Sequence, residues 1–197
     1  MTAMLQIVSD LEPNWLPLLP VDVLQASGCP TTTQYASWYA GLLLSAFATD
    51  RNDPAYFEDL RRITGIIDDA YASFGSDIDM GTHFLHFPVP GVMPIVVQTT
   101  IFPMAGETKQ MLSRYVGAEH GAEAMVVETE SMGTGLRAVV PVGEGQDREA
   151  LTAVATYAFR VPEAGRDVRI QAVSSDFGLL FGALGEIEAF LRCLALR

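Results

Sequence analysis

The sequence predicts an α+β fold, in which an antiparallel β-sheet of about five to seven strands packs with an N-terminal helix pair and a long C-terminal helix. Two segments near the N-terminus and one at the C-terminus repeat apolar residues at spacings of three and four, which is the period of a helix buried on one side. From residue 82 onward, short β-branched and aromatic runs follow one another. Because most breaks between these runs are short, successive strands are expected to pair antiparallel.

The N-terminal part of the chain predicts a short strand, an extended segment and two helices. Residues 4–8 (MLQIV) suit a strand, and the prolines of LEPNWLPLLPVD exclude a regular helix, so Trp15 is expected in an extended segment on the surface. The first helix is expected at 32–48. Its core-facing stripe consists of Tyr35, Trp38, Tyr39, Leu42, Leu43 and Ala46.

The second helix has the clearest boundaries in the sequence. Asp53 suits an N-cap and Pro54 suits the first helical position, where its missing N–H costs nothing. Gly75 ends the helix. The expected buried stripe consists of Phe57, Leu60, Thr64, Ile67, Tyr71 and Phe74.

The rest of the chain alternates strands with two further helices. A helix is expected at about 107–119 and a closing helix at about 177–196, the latter capped by Ser175 or Asp176. Strands are expected at 82–89, 93–102, 123–129, 135–142, 151–161 and 167–174. The run at 151–161 alternates apolar and polar residues, which predicts a half-buried strand, and the short break PEAGR predicts an antiparallel hairpin with the next strand.

The closing helix has an expected core stripe and a row of small residues. Gly178, Gly182 and Gly185 are expected to let this helix approach the sheet closely. The stripe consists of Leu180, Leu184, Ile187, Leu191 and Leu194.

The composition of the chain limits the number of domains, the classes of partner and the location that we expect. The chain has 197 residues, 49% hydrophobic and 18% charged, which predicts one folded domain over 1–197. A formal net charge of −12 disfavours nucleic acid and anionic membrane surfaces as partners. The most apolar helical stretch, at 35–48, is shorter than the roughly 20 residues of a membrane span. No positive n-region precedes an apolar core, so we expect a cytoplasmic protein in which Cys29 and Cys193 are free thiols.

The segment SDIDMGTHFLHFP (76–88) holds most of the residues that suggest chemistry. Asp77 and Asp79 have the spacing of a phosphatase aspartate pair, but they follow a helix rather than a buried strand. His83 and His86 lie three apart, so on a strand they point to opposite faces and do not share a metal. We therefore expect a half-buried strand with its histidines near an exposed edge, no metal site, no cofactor and no catalytic residue.

The end of the chain, YAFRVPEAGRDVRIQAVSSDFGLLFGALGEIEAFLRCL, together with the early segment WLPLLP, resembles a pattern in small actinobacterial proteins. In these, a strand ending near a proline is followed by a hairpin, a Ser-Asp type of turn and a closing helix. The pattern is similar to that of the Mog1/PsbP-like α/β sandwich and covers mainly residues 151–196. This resemblance implies action by binding other proteins and implies no catalytic residues.

Two functional hypotheses follow from the sequence. The first is a cytoplasmic binding or accessory protein that contacts an unidentified protein partner or forms a homodimer. The alternative is a small-ligand binder or hydrolase-type enzyme with a pocket near His83 and His86, lined by Trp38, Tyr39 and Phe87. A deep pocket with convergent polar groups favours the second hypothesis, and an exposed apolar patch favours the first.

Overall fold

The structure is a computed structural model, and it describes residues 5–79, 81–143 and 151–196. Its helices and strands, in chain order, are β1 (Leu5–Ile7), β2 (Trp15–Pro17), α1 (Val21–Ala26), α2 (Thr32–Ala46), α3 (Pro54–Phe74), β3 (His83–His86), β4 (Ile95–Pro103), α4 (Thr108–Tyr115), β5 (Met125–Thr129), β6 (Gly133–Gly143), β7 (Leu151–Val161), β8 (Arg166–Ser174), α5 (Phe177–Arg192) and β9 (Leu194–Leu196).

The predicted α+β class is confirmed. Seven of the strands form one antiparallel sheet, and β1 pairs with β9 in a small second sheet. The described residues fall into two compact units. We call Met1–Leu11 with Ile95–Arg197 the sheet unit, and Glu12–Pro94 the helical unit. The single domain expected over 1–197 stays a prediction.

In the sheet unit, the strands follow the order β4-β8-β7-β6-β5, and the predicted β7–β8 hairpin is confirmed. Strand β7 occupies the centre and is buried from Ala153 to Phe159, so the expected half-buried strand is wrong. Both of its faces are covered. Helix α4 packs Leu112 and Val116 against Ala158 on one face, and α5 contacts β7 and β8.

Helix α5 differs from the sequence prediction at its end and on its surface. It ends at Arg192 rather than at 196, because Leu194–Leu196 pair with β1 and obtain their hydrogen bonds from that strand. A side chain built at Gly182 or Gly185 would meet nothing within 4 Å, so these glycines do not mediate a close approach to the sheet. The buried stripe consists of Leu180, Ala183, Ile187, Phe190 and Leu191.

In the helical unit, the boundaries of α3 are confirmed. The Asp53 carboxylate accepts a hydrogen bond from the backbone N–H of Ala55 at 2.9 Å, Pro54 begins the helix and Gly75 follows its last residue. Helix α2 begins after Thr31, whose hydroxyl accepts a hydrogen bond from the N–H of Gln34 at 3.2 Å. The short helix α1 is absent from the sequence prediction.

The buried stripes of both helices are shifted from those predicted. Trp38 is 61% exposed and Leu42 is also exposed, whereas Ala36, Ala40 and Leu44 are buried in their place. On α3, Phe57 is 61% exposed, and its neighbour Tyr56 is buried. The aromatic side chains at the surface are therefore a property of the fold that the helical period alone does not predict.

Tyrosines from α2 and α3 fix the proline-rich segment that contains β2. Tyr35 donates its hydroxyl proton to the carbonyl oxygen of Pro17 at 3.0 Å, and Tyr39 donates to that of Pro13. Tyr71 donates to the carbonyl of Leu19 at 3.2 Å. The expected extended segment is confirmed at Trp15–Pro17, but its last two residues, Val21 and Asp22, begin helix α1, and Trp15 is buried rather than on the surface.

Candidate functional site

The sheet unit ends at strand β5, whose outer edge faces away from its neighbour β6. Strand β5 is the last in the strand order and pairs with β6 from Met125↔Arg137 to Thr129↔Gly133. Among the residues that the structure describes, no strand pairs with its other side. An edge strand of this kind presents backbone N–H and C=O groups that can pair with a further strand.

A groove of about 370 Å³ runs between this edge and helix α5. The strand contributes all five of its residues, the opposite wall consists of Glu188, Leu191 and Arg192 of α5, and Arg137 of β6 completes the lining. Met125 and Val127 lie on the same face of the sheet as Arg137, because side chains alternate across a strand and Met125 is the register partner of Arg137. Met125 is 54% exposed and Val126 is 66% exposed, so the edge is apolar as well as open.

Arg137 links the two walls of the groove. One of its guanidinium nitrogens donates to a carboxylate oxygen of Glu188, and another donates to the sulfur of Met125 at 2.9 Å. The ion pair is partly buried, with 15% of the Arg137 side chain and 31% of the Glu188 side chain exposed. Burial, with the Glu188 charge as a further cause, raises the pKa of the neighbouring Tyr157 to about 12. This tyrosine is therefore neutral at physiological pH.

Acidic residues are exposed along β5, whereas the groove lining itself carries two acids and two cations, Glu128, Glu188, Arg137 and Arg192. Glu123, Glu128 and Glu130 are exposed on and beside β5, and the Arg137 charge is already paired with Glu188. Arg192, at the end of α5, is an exposed cation on the opposite wall.

The helical unit has a second groove, of about 430 Å³, between α2 and α3. Trp38 projects beside it, with Tyr35 stacked at 6.1 Å and Tyr39 edge-on at 6.5 Å between ring centroids. The lining residues are Ser37, Trp38, Gly41, Leu42, Ser45, Arg51, Tyr56 and Leu60.

The other residues expected around a pocket lie in the core. The hydroxyl of Tyr39 donates a hydrogen bond to the carbonyl oxygen of Pro13, and burial raises the pKa of that hydroxyl. Phe87 is fully buried. His83 is 3% exposed and His86 is 0% exposed. The expected half-buried strand with histidines near an exposed edge is therefore wrong, because β3 is buried along its whole length.

The two histidines have different neighbours. The Nδ1 atom of His83 is 2.9 Å from the hydroxyl oxygen of Thr82, and its ring is 4.5 Å from that of Phe74. Burial lowers the pKa of His83, and the charges of Asp77 and Asp79 oppose that shift. His86 stacks on Trp15, and burial lowers its pKa to about 4. Both imidazoles are neutral at pH 7 and serve as core side chains.

Within the described residues, no three His, Cys, Asp or Glu side chains come together as a metal site. In the same part of the chain, no helix has both the length and the apolar character to cross a bilayer.

The sequence does not single out the groove at β5. The run EAMVVET predicts a strand, and its flanking glutamates are typical of an edge strand, but strand order is set by long-range pairing. Comparison with known proteins finds no matching family model, curated protein or solved structure. The resemblance of residues 151–196 to the Mog1/PsbP-like sandwich stays a prediction.

Proposed function

We propose that this chain is a cytoplasmic binding or accessory protein that captures an extended segment of a partner protein as an added strand on β5. The observation that supports this function best is the open outer edge of Met125–Thr129 beside a groove. Strand addition uses backbone hydrogen bonds for affinity and alternate side-chain pockets for specificity.

The shape of the groove suggests how such a segment is selected. Every second side chain of an added strand points to the same face, so alternate residues of the ligand lie beside Met125 and Val127. These positions favour apolar ligand side chains. The residues between them face the opposite side of the sheet, where Val126 and Glu128 are exposed.

Charge suggests the chemistry of the partner segment. Glu123, Glu128 and Glu130 surround the edge, and the chain carries a formal net charge of −12. We therefore infer a basic segment in which Lys or Arg flanks the apolar residues, with no role for nucleic acid or an anionic membrane. A cytoplasmic location is supported by Cys29 and Cys193, which are free thiols in the structure.

The alternative hypothesis, a small-ligand or hydrolase-type pocket near His83 and His86, has weaker support. Both imidazoles are buried, and neither belongs to the lining of the β5 groove or of the α2–α3 groove. Of the residues expected to line a pocket, Trp38 alone is part of one of these two grooves.

The proposal is tested by selecting peptides from a random display library and measuring their affinity by calorimetry. We expect selected peptides to alternate apolar residues, to contain Lys or Arg, and to bind more weakly as salt increases. Met125→Lys should weaken binding strongly, because it places a cation within the groove. The matched control is Met104→Lys, which makes the same charge change at an exposed methionine of the same unit outside the groove.

Two outcomes contradict the proposal. One is a failure of the library to yield any peptide that binds the wild-type chain but not Met125→Lys. The other is equal weakening by the Met125 and Met104 variants, which would assign the effect to net charge rather than to the groove.

A further inference from the structure

The groove at β5 contains an ion pair, Arg137 with Glu188, that can form further hydrogen bonds. Arg137 donates to one carboxylate oxygen of Glu188, and its other contact in the groove is with the sulfur of Met125 at 2.9 Å. A guanidinium carries five N–H donors, and a thioether sulfur is only a weak acceptor. Among the described residues, the second carboxylate oxygen of Glu188 accepts no hydrogen bond, and 31% of that side chain is exposed.

We propose that this pair recognises the carboxamide of a glutamine in the segment that adds to β5, an inference that rests on the proposed function. A carboxamide carries an acceptor oxygen and a donor nitrogen on the same carbon. Its oxygen accepts from the Arg137 guanidinium in place of the Met125 sulfur, and its nitrogen donates to the second oxygen of Glu188. The ion pair therefore offers one partner to each polar atom of the ligand side chain.

The spacing of the strands selects a long side chain. Met125 is the register partner of Arg137, so both side chains lie on the face of the sheet that meets α5. Neighbouring strands lie about 4.8 Å apart, so an added strand lies about 10 Å from β6. The Arg137 side chain covers part of this distance, because it reaches the Met125 sulfur. Glutamine covers more of the remainder than asparagine does, since asparagine is one methylene shorter.

The Met125 side chain leaves room for this contact. It is 54% exposed, and a methionine has three rotatable bonds, so it can move aside while its methylenes pack on those of the ligand. Arg137, by contrast, is held by Glu188 and is 15% exposed. Hydrogen bonds made at a partly buried charge are stronger than those made in open water.

Charge and polarity distinguish glutamine from side chains of similar length. A glutamate places a second carboxylate beside Glu188 and has no proton to donate to it. A lysine brings a cation towards the Arg137 guanidinium. A methionine forms neither hydrogen bond, and it covers the second oxygen of Glu188, which then loses its contact with water.

The test is a selection of peptides from a random display library against the full chain, followed by calorimetry on a peptide that loses affinity for Met125→Lys. We expect glutamine to be enriched at one fixed place in the apolar alternation. Replacing this glutamine by glutamate or by methionine should weaken binding to the wild-type chain about tenfold. Glutamate tests the charge of the site, and methionine tests the hydrogen bonds.

Glu188→Gln is the variant that assigns the preference to the ion pair, because it removes the carboxylate charge and keeps the shape of the side chain. The glutamate peptide should bind this variant more tightly than it binds the wild-type chain, and the preference for glutamine over glutamate should largely disappear. Glu186→Gln is the matched control. It makes the same change on α5 at an exposed residue outside the groove lining, and it should keep the full preference.

The outcomes separate this inference from strand addition itself. Peptides that require Met125 but show no preference for glutamine would overturn the glutamine site and leave strand addition standing. A preference that is the same in Glu188→Gln as in Glu186→Gln would do so too. A selection that yields no binding peptide would overturn both.

Discussion

The indole of Trp15 and the imidazole of His86 are stacked, with 4.1 Å between ring centroids and 12° between ring planes. The two residues are register partners across β2 and β3, so the pairing of the strands places one ring over the other. Trp15 is 4% exposed and His86 is 0% exposed. The stack is therefore part of the core of the helical unit, and it removes His86 from the surface where a ligand would need it.

Lowering the pH should lower the free energy of unfolding, and His86 should be one of the residues responsible. Burial lowers its pKa to about 4 in the folded state, against about 6.5 in the unfolded chain. Between these pH values the unfolded chain binds more protons, so the free energy of unfolding falls as pH falls, by roughly 3 kcal/mol in all. Denaturant unfolding measured at steps from pH 7 to pH 4 checks this dependence.

Substitution separates the contribution of His86 from those of other groups. His86→Phe keeps a stacked ring on Trp15 and removes the titration, so the slope between pH 6.5 and 4 should become shallower. A residual slope is expected, because the pKa of His83 is lowered in the same direction. His120→Ala, at an exposed position, should keep the full slope. An unchanged slope in His86→Phe would show that His86 is not responsible.

Asp167 should be essential to the stability of the sheet unit. Its fully buried carboxylate accepts two hydrogen bonds from Arg160, from Nε at 2.7 Å and from Nη2 at 2.9 Å. Arg160 also donates to the carbonyl oxygens of Ala105 and Gly106, which precede α4. Asp167→Asn should therefore lower the free energy of unfolding and increase hydrogen exchange at residues 105–108.

The control for Asp167 lies in the same hairpin. Glu163→Gln makes the same acid-to-amide change at an exposed position, and its effect should stay within about 0.5 kcal/mol. Similar losses of stability in the two variants would mean that the Asp167–Arg160 ion pair contributes no more to stability than an exposed carboxylate does.

Replacing Gly135 or Gly182 by alanine should change the stability of the fold in opposite directions. A Cβ at Gly135 of β6 would lie 2.4 Å from the carbonyl oxygen of Ala158 and 2.4 Å from the ring of Phe159, so Gly135→Ala should destabilise by about 1–3 kcal/mol. A Cβ at Gly182 of α5 meets nothing within 4 Å, so Gly182→Ala should stabilise by up to about 1 kcal/mol. Thermal melts of both variants check the pair, and shifts of the same sign would contradict it.

Glu188 should contribute more to stability than an exposed surface charge. Its side chain is paired with Arg137, which is 15% exposed and would be left with an unmatched charge after Glu188→Ala. We expect a loss of about 1–2 kcal/mol, more than the 0–1 kcal/mol typical of an exposed pair. In a double-mutant cycle with Arg137→Met, the loss in the double variant should be smaller than the sum of the single losses. Strict additivity would show that the pair is not coupled.

Local signals in the sequence predict much of this fold. The caps of α3 and the hairpin between β7 and β8 depend on residues close in the chain, and both are confirmed. Helix α2 shows why the exposed surface is harder to predict. Apolar residues cover most of its circumference, so the helical period does not identify which face is buried, and Trp38 was expected inside.

The candidate site and the burial of the histidines depend on long-range contacts. His86 is enclosed by a strand some seventy positions earlier in the chain, which contains Trp15, and no pattern within 76–88 reveals this. The groove at β5 exists because β5 is the last strand of the sheet and because α5 runs beside it. The local sequence EAMVVET predicts neither of these features.

Amide hydrogen exchange of the chain, with and without a peptide selected from the display library, tests strand addition most directly. We predict that the bound peptide protects backbone amides within Met125–Thr129, because an added strand forms hydrogen bonds with the open side of β5. Amides of α2 and α3 should exchange at unchanged rates. Protection of the α2–α3 groove with no change in β5 would contradict the account, because it would place the partner on another surface.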